Sequence, residues 1–243
     1  MGFTFSHPAL IVPFKYVPRR WYSVTGLIAG SIAPDFEYFL RLDSQGAFSH
    51  TIPGMFLMDI PMAIGLALVF HLVVRDQLIL NIPRAFRQRF EIYFQSDWWN
   101  YLKRNIILVI FSVLIGVMTH LLWDSFTAMN GHFVKRIPFL TQQWNILGLD
   151  IYVYKVLKHV SSVVGGMVVL YQLLRLPKKN TLIKNVDGRY WVTMVSIFVI
   201  IVIFYLLPIF HMPSINVFVK RMITAGLAAL VLASLYHRKK QNQ

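Results

Sequence analysis

The sequence predicts an all-α, multi-pass integral membrane helical bundle of about five spans plus an N-terminal helical hairpin or sixth span. Of the 243 residues, 56% are hydrophobic and only 14% are charged, whereas soluble domains are about 25% charged. The apolar residues form runs of about 20, the length that crosses a bilayer as a helix. The chain contains no cysteine, which excludes disulfide frameworks and thiolate metal sites.

Five apolar runs are long enough to span a membrane, and together they predict a single membrane domain over residues 1–243. The fourth run contains no charged residue, and the second is interrupted only by His120. In chain order the runs are Ile52–Val74, Ile106–Trp123, Val156–Leu174, Tyr190–Phe210 and Asn216–Tyr236. Glycine pairs that permit close helix packing accompany them.

Residues 1–40 form a different kind of segment. Pro8–Val17 and Trp21–Ala33 are apolar, but at roughly 15–20 Å each they are too short to cross alone. One interpretation is a helical hairpin that dips into one leaflet, with Arg19 and Arg20 at its tip. The alternative is one tilted span over Trp21–Leu40. Only the hairpin brings the two ends of the segment to the same side of the membrane.

The basic residues predict the orientation, because cytoplasmic loops are enriched in Lys and Arg. Of the 24 Lys and Arg, 17 fall in the N-terminal turn, the 75–104 segment, the 175–189 segment and the C-terminal tail. We therefore expect these parts to be cytoplasmic and residues 127–155 to form an outer loop. Contact with anionic lipids then explains the net charge of +14, and no nucleic-acid partner is expected.

The segment Arg84–Trp99 mixes basic and aromatic residues at near-helical spacing. This pattern predicts a helix that lies in the cytoplasmic interface. A solvated loop with an aromatic anchor is the alternative interpretation.

Ionisable residues at membrane depth are costly and are usually functional or paired. His120 and Asp124 are four residues apart, so they share one helix face near the outer end of their span. Alone, this pair is more typical of a His–Asp hydrogen bond at a helix end than of a metal site. Further imidazole and carboxylate groups fall on the same predicted side, and the full candidate set of metal ligands is His7, Asp35, His50, His120 and Asp124. Imidazole and carboxylate ligands without thiolate suit Zn, Mn or Fe.

Three further residues are linked to this set. His159 lies at the start of the third run and either completes the metal site or caps the helix. Asp59 lies about 9 Å below the outer end of its span, where it is placed to orient a histidine. Glu37 follows Asp35 by two residues and either shares the site or faces solvent.

Several short motifs occur together in one order: FTFSHPA, GSIAPDFEYFLRL, FSHTIPG, HLLWDSFT and YKVLKHVSSVVGG. In this combination the chain resembles an uncharacterised family of bacterial membrane proteins, the domain of unknown function 4184. That family is distantly similar to the LexA-regulated membrane-bound metal-dependent hydrolases. This similarity implies a location in the bacterial cytoplasmic membrane and metal ligation by the five residues above, with His159 as a further ligand. Tyr38 stands where a metal-binding histidine is expected, which implies a reduced ligand set.

These observations favour a membrane-embedded, metal-dependent hydrolase that acts at the outer headgroup level, on a lipid or lipid-linked phosphoester. A bound divalent metal would activate water, with Glu37 as the proton acceptor. Two other functions remain compatible with the sequence. One is a transporter, although its ionisable groups would be expected nearer the bilayer midplane. The other is a non-enzymatic structural or interaction protein whose His/Asp cluster ties helices together.

Overall fold

The computed structural model describes residues 3–41, 48–146, 148–179, 187–206 and 214–241. Nearly all regular structure in these ranges is helical, and five helices are long and apolar enough to cross a membrane. The prediction of a multi-pass helical membrane bundle is confirmed. The chain divides into two compact units, and each is described separately below.

The helices are numbered here in chain order, after an N-terminal 3-10 helix over Thr4–Tyr16. They are α1 (Val24–Arg41), α2 (Ile52–Asn81), α3 (Arg84–Phe90), α4 (Trp98–Arg104), α5 (Ile106–Thr127), α6 (His132–Arg136), α7 (Val153–Arg175), α8 (Gly188–Leu206) and α9 (Ile215–Gln241). Two short antiparallel strands, β1 (Gln143–Ile146) and β2 (Leu149–Tyr152), lie within the predicted outer loop.

The first unit contains the chain up to Asp35, the start of α2 and the chain from Asn105 to Arg175. Its N-terminal 3-10 helix packs against α7 and α5. Thr4 donates a hydrogen bond to Asp35, so the start of the chain and the later part of α1 meet at one place. None of the five spanning helices comes from residues 3–41. The arrangement of this segment in the bilayer, as a hairpin or as one tilted span, remains a prediction.

Close contact between α1 and α5 depends on glycine. A Cβ added at Gly116 would lie 2.4 Å from the carbonyl oxygen of Leu27, and one added at Gly30 would lie 2.2 Å from that of Val113. Only glycine allows backbones to approach this closely. This contact places the backbone of α1 beside the face of α5 that carries His120.

Two helices depart from the regular pattern near polar residues. Helix α1 runs through Pro34 to Arg41, whereas a proline in a helix interior removes one backbone hydrogen bond. Helix α2 contains two wider π turns, at Met55–Asp59 and Phe70–Val74. Such turns are rare and occur frequently at functional sites, and the first of them ends at the fully buried Asp59.

The second unit contains the remainder of α1 and α2, and helices α3, α4, α8 and α9. Helices α8 and α9 pack together along a buried alanine stripe at Ala225, Ala229 and Ala233. The Tyr190 hydroxyl lies 3.0 Å from Ser234 Oγ within this contact. The predicted interfacial helix over Arg84–Trp99 is wrong in extent. Helix α3 ends at Phe90, and the chain turns at Gln95, whose φ is 54°, before α4 begins.

Candidate metal centre

Four of the predicted ligands converge in the first unit from three separate elements. One ligand atom from each lies within 4.8 Å of every other. The four residues, called the metal group below, are Asp35, His50, His120 and Asp124. Helix α1 supplies the first, the turn before α2 supplies the second, and α5 supplies the last two. Residues distant in sequence therefore present two imidazoles and two carboxylates to one point.

Asp35 is held in a defined orientation by one hydroxyl group. Thr4 Oγ1 donates to Asp35 Oδ2 at 2.6 Å, which leaves Oδ1 directed toward His120, 3.8 Å from its Nε2. Asp35 is buried, and burial raises the pKa of its carboxyl group above the ordinary value although His120 lowers it. A buried carboxylate is costly unless a cation or hydrogen bonds compensate its charge.

The His120 ring is fixed in one tautomer by the backbone. Its Nδ1 lies 2.8 Å from the carbonyl oxygen of Ser31, and because a carbonyl only accepts hydrogen bonds, Nδ1 must carry the proton. In the neutral ring Nε2 therefore presents its lone pair. Nε2 is buried, and among the described residues it has no hydrogen-bond partner. It lies 3.7 Å from Asp124 Oδ2 and 3.8 Å from Asp35 Oδ1.

His50 repeats this arrangement through a side chain. Ser49 Oγ donates to the carbonyl oxygen of Pro34 at 2.9 Å, so its lone pair is available to His50 Nδ1 at 3.1 Å. Nδ1 is therefore the donor, and Nε2 is directed at Asp124 Oδ2, 3.3 Å away. Metal-bound histidines almost always donate their other ring N–H in this way, which fixes the ring and raises its basicity.

The metal group is closed on one side and accessible on the other. The side chains of His120 and Asp35 are 0% and 3% exposed, whereas those of His50 and Asp124 are 22% and 21% exposed. The group is therefore accessible at the edge formed by His50 and Asp124. Thr127 Oγ1 lies 3.5 Å from Asp124 Oδ1, on the side of the carboxylate away from the histidines.

The distances fit a divalent cation. Ligand atoms about 2.1 Å from a tetrahedral metal lie about 3.4 Å from each other. Three of the six separations in the group are 3.3, 3.7 and 3.8 Å, and all six are within 4.8 Å. Two carboxylates with two neutral imidazoles carry two negative charges, which a divalent ion neutralises. Without a cation, two nitrogen lone pairs would face carboxylate oxygens, an imidazole would have to be protonated, or Asp35, whose pKa burial raises, would have to hold a proton.

The comparisons with known proteins identify the family. The profile described as Domain of unknown function (DUF4184) matches residues 1–237. The chain belongs to this family. The match covers every member of the metal group. The searches of curated proteins and of solved structures returned no match, and the more distant likeness to LexA-regulated hydrolases stays a prediction.

In this DUF4184 member, His7 lies beside the metal group and is not one of its four residues. Its ring stacks on that of His120 with the centroids 3.9 Å apart and an interplanar angle of 19°. The Trp123 ring also contacts the His7 ring, with the two centroids 5.3 Å apart. Burial, and then the neighbouring His120, lowers the pKa of His7 to about 3. The ring is therefore neutral at physiological pH, and its buried Nδ1 has no hydrogen-bond partner among the described residues.

His50 provides the electrostatic alternative to a metal. Burial lowers its pKa, but the hydrogen bond to Asp124 and the charges of Asp124, Asp35 and Asp59 together raise it above its ordinary value. The influence of Asp59 on His50 is compatible with the predicted supporting role of this carboxylate. A protonated His50 would form an ion pair with Asp124 at the same 3.3 Å separation.

Two predicted site residues lie elsewhere. Glu37 is buried, and its Oε1 pairs with Arg41 at 3.1 Å. Because residues two apart on a helix do not share a face, Glu37 and Asp35 project in different directions from α1. His159 is exposed on α7 and does not belong to the metal group. The metal group as described therefore includes neither Glu37, the predicted proton acceptor, nor His159, the predicted further ligand.

Proposed function

We propose that this chain is a membrane-embedded, metal-dependent hydrolase that acts at the level of the lipid headgroups. One observation carries the proposal: two histidines, each with Nδ1 engaged by a protein acceptor, direct Nε2 at the Asp124 carboxylate, and His120 Nε2 also lies near Asp35. Two histidines with a purely structural role would not both need to hold the proton on Nδ1 and present the lone pair on Nε2. Catalytic metal sites combine such fixed ligands with an accessible coordination position, and the edge at His50 and Asp124 is accessible.

Each residue of the metal group has a defined task. Asp35 and His120 form the buried half, and His50 and Asp124 form the half that a substrate reaches. A divalent Zn, Mn or Fe ion suits this ligand set, and when bound it supplies a water of lowered pKa and polarises a phosphoryl or acyl oxygen. Thr4, Ser49 and the Ser31 carbonyl hold the ligands in position. Glu37 as the proton acceptor stays a prediction.

The location of the metal group supports action near the membrane surface. Asp124 lies close to the end of α5, about 27 Å along the helix from Ile106, which is near the thickness of the hydrocarbon core. The charge distribution supports an orientation with the basic segments and C-terminus in the cytoplasm, as in a bacterial inner-membrane protein. The group then faces the outer headgroups, which supports a lipid or lipid-linked phosphoester as the substrate.

A structural function is the second candidate, and the contact between His50 and Asp124 favours it. A protonated His50 paired with Asp124 would join the segment before α2 to α5 without any metal. The two functions differ in their response to metal, because only the hydrolase requires one.

Hydrolysis assays on the detergent-purified chain test the proposal. We expect Zn- or Mn-loaded protein to release nitrophenol from bis(p-nitrophenyl) phosphate or p-nitrophenyl acetate, and a chelator to abolish the release. Asp124→Asn should lose this activity, by at least about a hundredfold, because it weakens one ligand and alters the accessible edge. The matched control is Asp150→Asn, since Asp150 is an exposed carboxylate on β2. Activity that survives both chelation and Asp124→Asn would refute the hydrolase.

A further inference from the structure

A groove runs along the exposed face of α7, beside the start of the chain. It encloses about 320 Å³ and is almost entirely apolar. Its lining residues are Phe3, Ser162, Val163, Gly166, Met167 and Leu170. A Cβ added at Gly166 would meet nothing within 4 Å, so this glycine forms part of the groove without a packing contact of its own. Because α7 is long and apolar enough to span a membrane, we expect this exposed apolar face to border lipid.

The groove has a polar end. His159, Val163, Gly166 and Leu170 follow one another at intervals of four, three and four residues, the spacing of a single helical stripe. His159 is exposed at the end of this stripe. Lys158 precedes it and is half-buried at the same end of α7. Cationic and imidazole groups therefore lie at one end of the groove, and apolar side chains continue for about 16 Å along the helix to Leu170.

The polar end of the groove adjoins the metal group. The Phe3 backbone N–H donates to Ser162 Oγ at 3.1 Å, and the next residue, Thr4, donates to Asp35. Two consecutive residues thus join the wall of the groove to a metal-group carboxylate. Gly165 of the same helix lies against Trp123 and Ser6, and Trp123 contacts His7, which stacks on His120.

We propose that this groove holds an acyl chain of an anionic phospholipid, with the lipid phosphate between Lys158, His159 and the accessible edge of the metal group. The inference rests on the proposed hydrolase and names its substrate class, a membrane lipid with a phosphate in the headgroup. Charge complementarity selects this occupant, because an apolar groove that ends in basic groups matches a chain that ends in a phosphate. It also gives the KHVSSVVGG motif a function outside the metal group.

Lipid binding without turnover tests the groove. Wild-type protein in detergent, with a chelator present to prevent hydrolysis, is mixed with dioleoyl phosphatidylglycerol, and retained lipid is measured by native mass spectrometry. Gly166→Leu fills the groove, and Gly226→Leu on α9 is the matched control because a Cβ there also meets nothing within 4 Å. We expect about tenfold weaker retention in Gly166→Leu, equivalent to about 1.4 kcal/mol, and unchanged retention in Gly226→Leu. Lys158→Gln should reduce the preference for phosphatidylglycerol over phosphatidylcholine.

Three results would overturn the lipid assignment. One is equal retention of phosphatidylglycerol by the two glycine variants. Another is equal retention of phosphatidylcholine and phosphatidylglycerol by the wild type. The third is a dimer mass that Gly166→Leu abolishes, because the groove would then bind a second copy of the chain. The binding assay includes no metal, so retained lipid with no hydrolysis under any condition would refute only the hydrolase.

Discussion

Replacement of Asp35 by Asn is expected to abolish the stabilisation that Zn or Mn gives to the purified protein. A ligand that binds only the folded state stabilises it by about 2.7 kcal/mol at a concentration a hundredfold above Kd, and each kcal/mol raises Tm by about 2–4 °C in a chain of this size. Asp35→Asn preserves shape and an acceptor for Thr4 but removes the charge. Wild type should show a metal-dependent rise in Tm, and the variant should show none.

The same substitution makes a second, opposite prediction for the metal-free protein. There the buried Asp35 carboxylate is a cost, so Asn should leave Tm unchanged or raise it. Glu37→Gln is the matched control, since it changes another buried carboxylate of α1 that pairs with Arg41. It should retain the full metal-dependent rise. A metal-dependent rise in Asp35→Asn equal to that of wild type would contradict the assignment of this ligand.

Ser49→Ala is expected to weaken metal affinity by about 10–100-fold, the usual effect of removing a group that orients a ligand histidine. Ser49 Oγ accepts the Nδ1–H of His50 and donates to Pro34. Alanine leaves that N–H without its acceptor, so the neutral ring is no longer held with Nε2 toward Asp124. Isothermal titration calorimetry of the apoprotein with Zn measures the change in metal affinity.

Ser31→Ala provides the control for this effect. Ser31 and Ser49 are both fully buried serines next to a histidine of the metal group. The Ser31 side chain donates to Ile28, whereas it is the Ser31 backbone carbonyl that accepts from His120. Alanine keeps this carbonyl, so Zn affinity should remain near the wild-type value. Equal losses in both variants would indicate a general packing effect in place of histidine orientation.

Much of the fold could be predicted because a bilayer constrains it strongly. Within the described residues, all five predicted runs fall on helices, since 20 apolar residues in lipid have to satisfy their backbone hydrogen bonds internally. Residues 207–210 of the run Tyr190–Phe210 lie outside the described residues. The boundaries were less predictable. Helix α2 extends through Arg75 to Asn81, where Arg75 bonds to Asp76 and Ser96. Local pairing of this kind allows a helix to continue beyond its apolar run.

The metal group could be predicted in part from spacing. His120 and Asp124 lie one turn apart, and that interval alone places both on one face of α5. The contributions of Asp35 and His50 depended on which side of the membrane each residue occupies, and charge counting provided that expectation. His7 was predicted on the same side of the membrane, but it stacks against His120. The side of the membrane alone does not determine whether a histidine contacts another ring or a metal.

The supporting groups were the least predictable part of the site. Ser49 is adjacent to His50 in sequence, so the hydrogen bond between them is local. Thr4 reaches Asp35 across 31 residues, and the Ser31 carbonyl reaches His120 across 89. These contacts require the close approach of α1 and α5 at Gly30 and Gly116, and the sequence indicates small residues there without specifying their register.

Metal content of the purified protein tests the central claim most directly. Elemental mass spectrometry of wild type beside His120→Ala/Asp124→Ala, both purified in detergent and supplemented with Zn, Mn and Fe, compares an intact metal group with one that lacks two ligands. We predict about one metal ion per wild-type chain, because the four ligands form a single group, and none in the double variant. The account would be contradicted by a wild-type chain that retains no metal, or by a double variant that retains as much metal as wild type. The His/Asp cluster would then only join helices through hydrogen bonds.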